Sequence, residues 1–392
     1  MLRVLILSSL FPTAQRPTFG VFVEQQALSL GAVAGVEVEV VAPVGVPPWP
    51  LSQHPRYRFS AALPAREMWK GLTVHRPTFP IVPKFGARWT ARSMARALLP
   101  LLRDIRRRFA FDVIDAEFFW PDGPAAMRLG AALGIPFSIV ARGSDIQYWM
   151  HREEVAPQIL EAAEAAGGML AVSGALRDVM VGFGMPRERI RVHYTGVDHE
   201  RFRPADRAAA KARLGVSGPL ILTAGALIAG KGQRDAIAAL ERLPGATLFL
   251  AGEGPDRHAL VKMIRERRLE ARVRLLGNRP HDEVASLMAA ADVMLLPSRS
   301  EGLATVWVEA LAAGTPVVTS DVGGAREVIT RPEAGAIVPP EPEAIAEAIR
   351  RILADPPDQA KVRAVSERFT WAANSAALFD HLSRVASHSQ PH

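Results

Sequence analysis

The stretch PSRSEGLATVWVEALAAGTPVVTSDVGGAREVI, Pro297 to Ile329, decides how the rest of the chain is read. A strand ends at Leu295-Leu296-Pro297 and gives way to a small polar loop, then to an apolar helix flanked by Glu301 and Glu309. A short buried strand, Pro316-Val317-Val318-Thr319, follows, and the turn Gly323-Gly324 opens another helix. Glu301 falls just before the helix and Glu309 two turns into it. The backbone N–H groups of Leu303, Ala304 and Thr305 are then unpaired at a helix N-terminus, where dipole and free donors favour an anion. Amides that take a diphosphate, between carboxylates that accept from hydroxyls, suit a nucleotide sugar. The same residues also read as an ordinary surface helix with two solvated glutamates, because short motifs match by chance.

The segments on either side repeat one rhythm. Leu220 to Ala224, Thr247 to Ala251, Val273 to Gly277 and Ala291 to Leu296 are short apolar runs with helical stretches interposed, as in a parallel sheet. Gly225-Ala226-Leu227-Ile228-Ala229-Gly230-Lys231 follows the first of them and matches the front of a phosphate-binding loop. Gly232 stands where a Ser or Thr would have to ligate magnesium, which argues against a P-loop ATPase. Lys231, after a strand and between glycines, suits a cation reaching a diphosphate; the plainer reading is a solvated charge. Upstream, residues 3–9 form a first strand, Val21 to Leu30 a helix and Glu37 to Ala42 a second strand. Ligands of such sheets lie at strand carboxyl ends, so the loop carrying Arg16 and Gly20 is where substrate meets this half. The opening MLRVLILSSLF could pass for a signal peptide, yet its apolar run is short and it reads as a buried first strand. Residues 43–83 are expected to be irregular loop and short strands. Thr195-Gly196-Val197-Asp198 and Phe202-Arg203-Pro204 make a turn-rich linker, which sets the expected domains. These are residues 1–198, joined by a C-terminal helix at about 370–388, and residues 205–368.

A chain of 392 residues suits two domains. It has no cysteine, which excludes disulfides and thiolate metal sites. No run approaches the ~20 apolar residues that span a bilayer. Residues 1–110 carry 15 Lys and Arg against 5 Asp and Glu, whereas the remainder is slightly acidic. That imbalance points to an anionic partner on one face. Arg88, Arg92 and Arg96 fall at i, i+4 and i+8 and make a basic stripe beside Leu98, Leu99, Leu101 and Leu102, with Pro100 expected to kink or divide the helix. The stripe suits anionic lipid headgroups, although no strong apolar face is evident beyond the leucines; clustered Arg on a solvated helix is the alternative. No interleaved aromatics or binding module accompany it, so nucleic acid is not expected.

Taken together, these segments resemble the retaining family-four glycosyltransferases, the glycosyl transferases group 1. The resemblance rests on Glu301 and Glu309 within PSRSEGL and beyond, Ala-Gly-Thr-Pro-Val-Val at 313–318, Gly323-Gly324 and Lys231-Gly232. Ala171-Val172-Ser173, Gly196-Val197-Asp198 and Gly252-Glu253-Gly254 complete the order. It implies an α/β protein of GT-B fold, two Rossmann-like domains facing a central cleft. It implies that Lys231 neutralises the leaving nucleoside diphosphate, that Glu309 accepts from ribose hydroxyls and that Glu301 accepts from the donor sugar. Gly20, Gly225, Gly252, Gly302 and the amides at Leu303, Ala304 and Thr305 belong to the same donor site. No metal or other cofactor is expected, and the sequence shows no Asp-x-Asp motif.

Three positions depart from the family pattern. Ala226 stands where an Arg is frequent, Glu117 where many members have His, and Arg142-Gly143 where His-Gly is common. Arg142 is therefore a candidate for the missing positive charge and Glu117 for orienting an acceptor hydroxyl; a mutual salt bridge between them is the alternative. The expected activity is hexosyl transfer from a UDP- or GDP-linked sugar to a lipid-linked or polysaccharide acceptor in cell-surface glycan synthesis, including lipopolysaccharide. It would take place in the cytoplasm or at the inner face of the cytoplasmic membrane. A sugar-nucleotide epimerase or hydrolase, or a non-catalytic nucleotide-sugar-binding partner, are the competing readings. Neither base, sugar nor acceptor is legible.

Overall fold

In the computed structural model, residues 1–83 and 85–387 are described, without the side chains of residues 56 and 61; residue 388, the last of the expected C-terminal helix, lies outside them. The chain divides into two compact units. One comprises Met1–Thr195 together with the helix Trp371–Ser387, and the other comprises Gly196–Thr370. Each is built on a mostly parallel sheet with helices on its faces.

Among the described residues the first unit forms ten strands: β1 (Leu2–Leu7), β2 (Val36–Val41), β3 (Val44–Val46), β4 (Arg66–Trp69), β5 (Leu72–His75), β6 (Thr78–Pro80), β7 (Val113–Ala116), β8 (Phe137–Ala141), β9 (Gly168–Ala171) and β10 (Ile190–Val192). The main sheet runs β10-β9-β8-β7-β1-β2-β5-β4. β1 lies in its middle, parallel to β2 and β7, which explains its unbroken apolar sequence: both faces are covered and Val4 to Leu7 are wholly buried. The 43–83 region forms short strands, as its weak periodicity suggests. β4 closes the sheet edge antiparallel to β5, and β3 pairs with β6 in a separate two-stranded ribbon.

The basic stripe lies on one helix, Ala87–Arg108, which passes through Pro100 without being divided. Pro100 and Arg96, whose carbonyl the proline leaves without an amide partner, are both on the exposed face, where water can take that bond. The helix is also more amphipathic than its leucines suggest. Ala91, Met94, Ala95, Leu98, Leu102 and Ile105 are all buried within the unit, so its apolar face is already covered. The C-terminal helix Trp371–Ser387 seats Leu378, Leu382 and Val385 in the same core as Val4, Val113 and Val140.

The second unit is built from β11 (Leu220–Ala224), β12 (Thr247–Ala251), β13 (Val273–Gly277), β14 (Val293–Leu296), β15 (Val317–Thr319) and β16 (Gly335–Ile337), in the order β13-β12-β11-β14-β15-β16. Strand order therefore runs outward from β11 in one direction and from β14 in the other. The gap between β11 and β14 is the topological switch point, where α/β sheets open a crevice outside their strand carboxyl ends.

Candidate active site

The loops after β11 and β14 place the opening stretch of sequence at that crevice. The helix begins at Thr305, after Ala304 as N-cap, and runs to Ala312. Glu309 therefore sits little more than one turn into it, not two. The Trp307 N–H is tied to the Ala304 carbonyl at 3.0 Å, and the Gly302 carbonyl accepts from Gly324 at 2.9 Å, so the loop is laced to the Gly323-Gly324 turn. Neither glutamate is solvated: Glu301 and Glu309 are each 8% exposed. The reading of a plain surface helix fails on that observation.

Lys231 and Glu301 meet across the switch point. The Lys231 ammonium donates to both carboxylate oxygens, at 2.6 and 2.8 Å. What brings them together is Gly232, which follows Lys231 in a left-handed conformation with φ of 73° and opens the helix Gln233–Leu240. A Cβ on Gly232 would lie 2.2 Å from the Pro297 carbonyl oxygen, so the two loops nest only because no side chain intervenes. The glycine that disqualifies a P-loop is thus a packing requirement of this site. Gly225 and Gly252 follow β11 and β12; the Gly225 N–H donates to Ala251 and that of Gly252 to Gly277, each at 2.9 Å.

Glu309 has a neighbour that sequence reasoning missed. His281 Nε2 lies 3.3 Å from its carboxylate, and the imidazole packs edge-on against Phe202 at 5.4 Å. A lone histidine opening a helix after Pro280 carries no pattern of its own, and only the fold brings it beneath Glu309.

In the first unit the structure joins Glu117 and Arg142 to each other. Their ion pair is buried, with side chains 0% and 6% exposed, and Gln26 completes it. The Gln26 amide donates to Glu117, and its carbonyl accepts from Arg142 at 3.1 Å. The guanidinium also lies 5.0 Å from the Phe22 ring centroid. The alternative weighed from sequence, a mutual salt bridge at adjacent strand ends, is the arrangement found. Asp115, one pleat before Glu117, is wholly buried; desolvation and the Glu117 carboxylate push its pKa well above the usual range, against the pull of Arg142. Asp145 accepts from the backbone N–H groups of Phe119, Arg142 and Gly143 at 2.7–3.1 Å and so fixes the loop that presents Arg142. Gly20 is the N-cap of the helix Val21–Gly31, with φ of 75°; a Cβ there would come 2.5 Å from the Leu10 carbonyl oxygen. Its role in the fold is to let the β1 loop fold back on itself.

Arg88, Arg92 and Arg96 are exposed on the solvent face of their helix, with Arg88 stacked on Trp89 at 4.0 Å. No helix among the described residues is long and apolar enough to cross a membrane.

Two Rossmann-like units of this kind define the GT-B fold. Sucrose-phosphate synthase from Thermosynechococcus elongatus superposes with a TM-score of 0.77 at 21% identity, covering 99% of this chain and 100% of that one. Anabaena HepE in complex with UDP and glucose gives a TM-score of 0.75 at 21% identity, covering 98% of this chain and 100% of that one. The family model described as Glycosyltransferase Family 4 matches residues 20–201, and that described as Glycosyl transferases group 1 matches residues 206–368. The chain belongs to the family-four glycosyltransferases. Among curated relatives, the Bacillus subtilis protein named as teichuronic acid biosynthesis glycosyltransferase TuaC is 29% identical over 363 residues, 89% of each chain. The 2-deoxystreptamine glucosyltransferase of Streptomyces kanamyceticus is 29% identical over 306 residues, 72% of this chain and 77% of that one.

Proposed function

We propose that this glycosyltransferase moves a hexosyl unit from a nucleotide sugar to a glycan or lipid-linked acceptor, with retention of anomeric configuration and without a metal. The observation that carries this reading is the Lys231–Glu301 pair at the β11/β14 switch point, beside a nearly buried Glu309. A diphosphate entering the crevice takes over the Lys231 ammonium and frees Glu301 to accept from the donor sugar. Lys231 then stabilises charge that grows on the leaving phosphate as the anomeric C–O bond breaks, and the amides at 303–305 assist. Glu309, steadied by His281, accepts from ribose hydroxyls. The acceptor oxygen bonds to the anomeric carbon on the face the diphosphate leaves, and its proton passes to a phosphate oxygen. The complexes of HepE with UDP and with UDP-glucose support a uridine nucleotide as donor. Under this reading the buried Glu117–Arg142–Gln26 triad sets the charge at the acceptor side. Arg88, Arg92 and Arg96 rest on the anionic inner face of the cytoplasmic membrane.

The test is label transfer from a panel of UDP-, GDP- and ADP-sugars to membrane extract. Lys231→Ala should slow turnover by roughly 10²–10³-fold, the usual loss when a preorganised group facing developing charge is removed. Glu309→Ala should chiefly raise the donor KM. Wild-type transfer in both variants would refute the site, and full release of free sugar without acceptor would favour a hydrolase.

A further inference from the structure

The first unit holds a cavity that the donor site does not use. It measures about 580 Å³, within the range of small-molecule pockets, and lies at the carboxyl ends of β1 and β2, beyond Ser9 and Ala42. Because β1 and β2 are parallel and in register, with Leu7 opposite Val41, their ends open on the same edge of the sheet. This is the edge where α/β sheets receive ligands. Phe11, Phe19, Tyr57 and Phe59 supply aromatic walls, and Arg16 and Arg76 supply positive charge; no carboxylate stands among the described lining residues.

Both guanidinium groups are held in place. Arg76 is buried, donating to the Pro12 carbonyl at 2.7 Å and to Glu67, and it packs 5.7 Å from the Phe11 ring centroid. Arg16 is exposed, with its guanidinium 4.1 Å from the Phe19 ring centroid and 5.6 Å from that of Phe59. A tight turn fixes its backbone: the Arg16 N–H donates to the Thr13 carbonyl at 2.9 Å, and the Thr13 N–H returns a bond to Arg16 at 3.3 Å. A guanidinium carries several donors in a fork that matches a carboxylate or phosphate. Flat aromatic faces meanwhile pack against the C–H faces of a sugar ring.

We infer that this cavity is a binding site for a saccharide bearing an anionic substituent, carboxylate or phosphate, with Arg16 as the group that selects the charge. It rests on the glycosyltransferase reading in that such a saccharide would be the acceptor, or the part of it next to the reacting hydroxyl.

The full chain is titrated calorimetrically with methyl β-D-glucuronide, glucose 6-phosphate and neutral methyl β-D-glucoside. At least one anionic probe should bind tenfold or more tighter than the neutral one, and which does so separates a uronate from a phosphorylated acceptor. Arg16→Gln should abolish that preference while leaving binding of UDP or GDP unchanged, which also shows that the variant is folded. Phe19→Leu, which removes the ring beneath the guanidinium, should reduce the preference in the same direction. Equal binding of all three sugars, no sugar binding, or a preference that survives Arg16→Gln would overturn the inference. Retained nucleotide binding in that case leaves the donor site standing. Absence of nucleoside diphosphate binding altogether would strike the donor reading instead.

Discussion

Gly232 shows how much one missing side chain can control. It carries no chemistry, yet its positive φ and its approach to Pro297 set the spacing that puts Lys231 on Glu301. Gly232→Ala should cost about 1–3 kcal/mol from backbone strain alone and more from overlap with the carbonyl. Urea unfolding should show the loss of stability, and nucleoside diphosphate titration a weakened donor site. An alanine variant that unfolds and binds like wild type would show that the loops are free to part. Lys231, Glu301 and Glu309 stand out in the sequence by type and spacing, and the fold pairs the first two. His281 and Gln26 do not stand out, since each acts only through a partner far away in sequence.

Elements read well where periodicity was strong. The central strands were plain because a parallel sheet covered on both faces demands uninterrupted apolar runs, as in Leu220 to Ala224 and Thr247 to Ala251. The helix Ala87–Arg108 runs on undivided through Pro100, because a proline on the exposed side loses a bond that water can replace. With its apolar face buried in its own unit, any hold on lipid has to come from the exposed arginines and neighbours such as Trp89 and Phe85, 48% and 81% exposed. Sedimentation with vesicles of phosphatidylglycerol should therefore weaken when Arg88, Arg92 and Arg96 become Ser, and should fall with salt, at about 1 kcal/mol per basic residue at low ionic strength. Binding indifferent to both changes would remove this helix from any membrane role.

At the scale of the whole molecule, the C-terminal helix returns to the first unit and is fastened there by two buried histidines. His381 Nε2 meets Ser138 Oγ at 2.8 Å, and His193 Nε2 meets the Asn374 carbonyl at 3.0 Å. Burial pushes both imidazoles down to about 4. Between pH 4 and 6.5 the unfolded chain then holds protons the folded chain refuses; this contribution is whole above about 6.5 and is lost as pH falls toward 4. Asp122 and Asp145 act in the opposite sense. Burial lifts them to about 7 and about 6, so their contribution is whole below the unfolded value and is lost as pH rises through those values. Asp115, whose pKa burial and the Glu117 carboxylate also raise, acts in the same sense as these two carboxylates. In His381→Gln one of the opposing terms is gone. The stability gap between wild type and variant should widen as pH rises from 4.5 to 6.5, by at most about 1.4 kcal/mol per pH unit. Denaturant melts at several pH values measure this, and a gap independent of pH would mean that His381 is not held neutral by the fold.

The sequence alone determined the α/β class, the placing of the central strands and the residues expected to hold a donor, because alternation of apolar runs, glycine turns and charged loop residues is local information. The tertiary structure decided what those residues touch. It pairs Lys231 with Glu301 across a switch point that exists only once β11 and β14 lie side by side. It buries Glu117 against Arg142, and it gathers Phe11, Phe59 and Arg76 from distant segments around one cavity. Pairing, burial and enclosure depend on which strand ends meet in space, and no local pattern carries that.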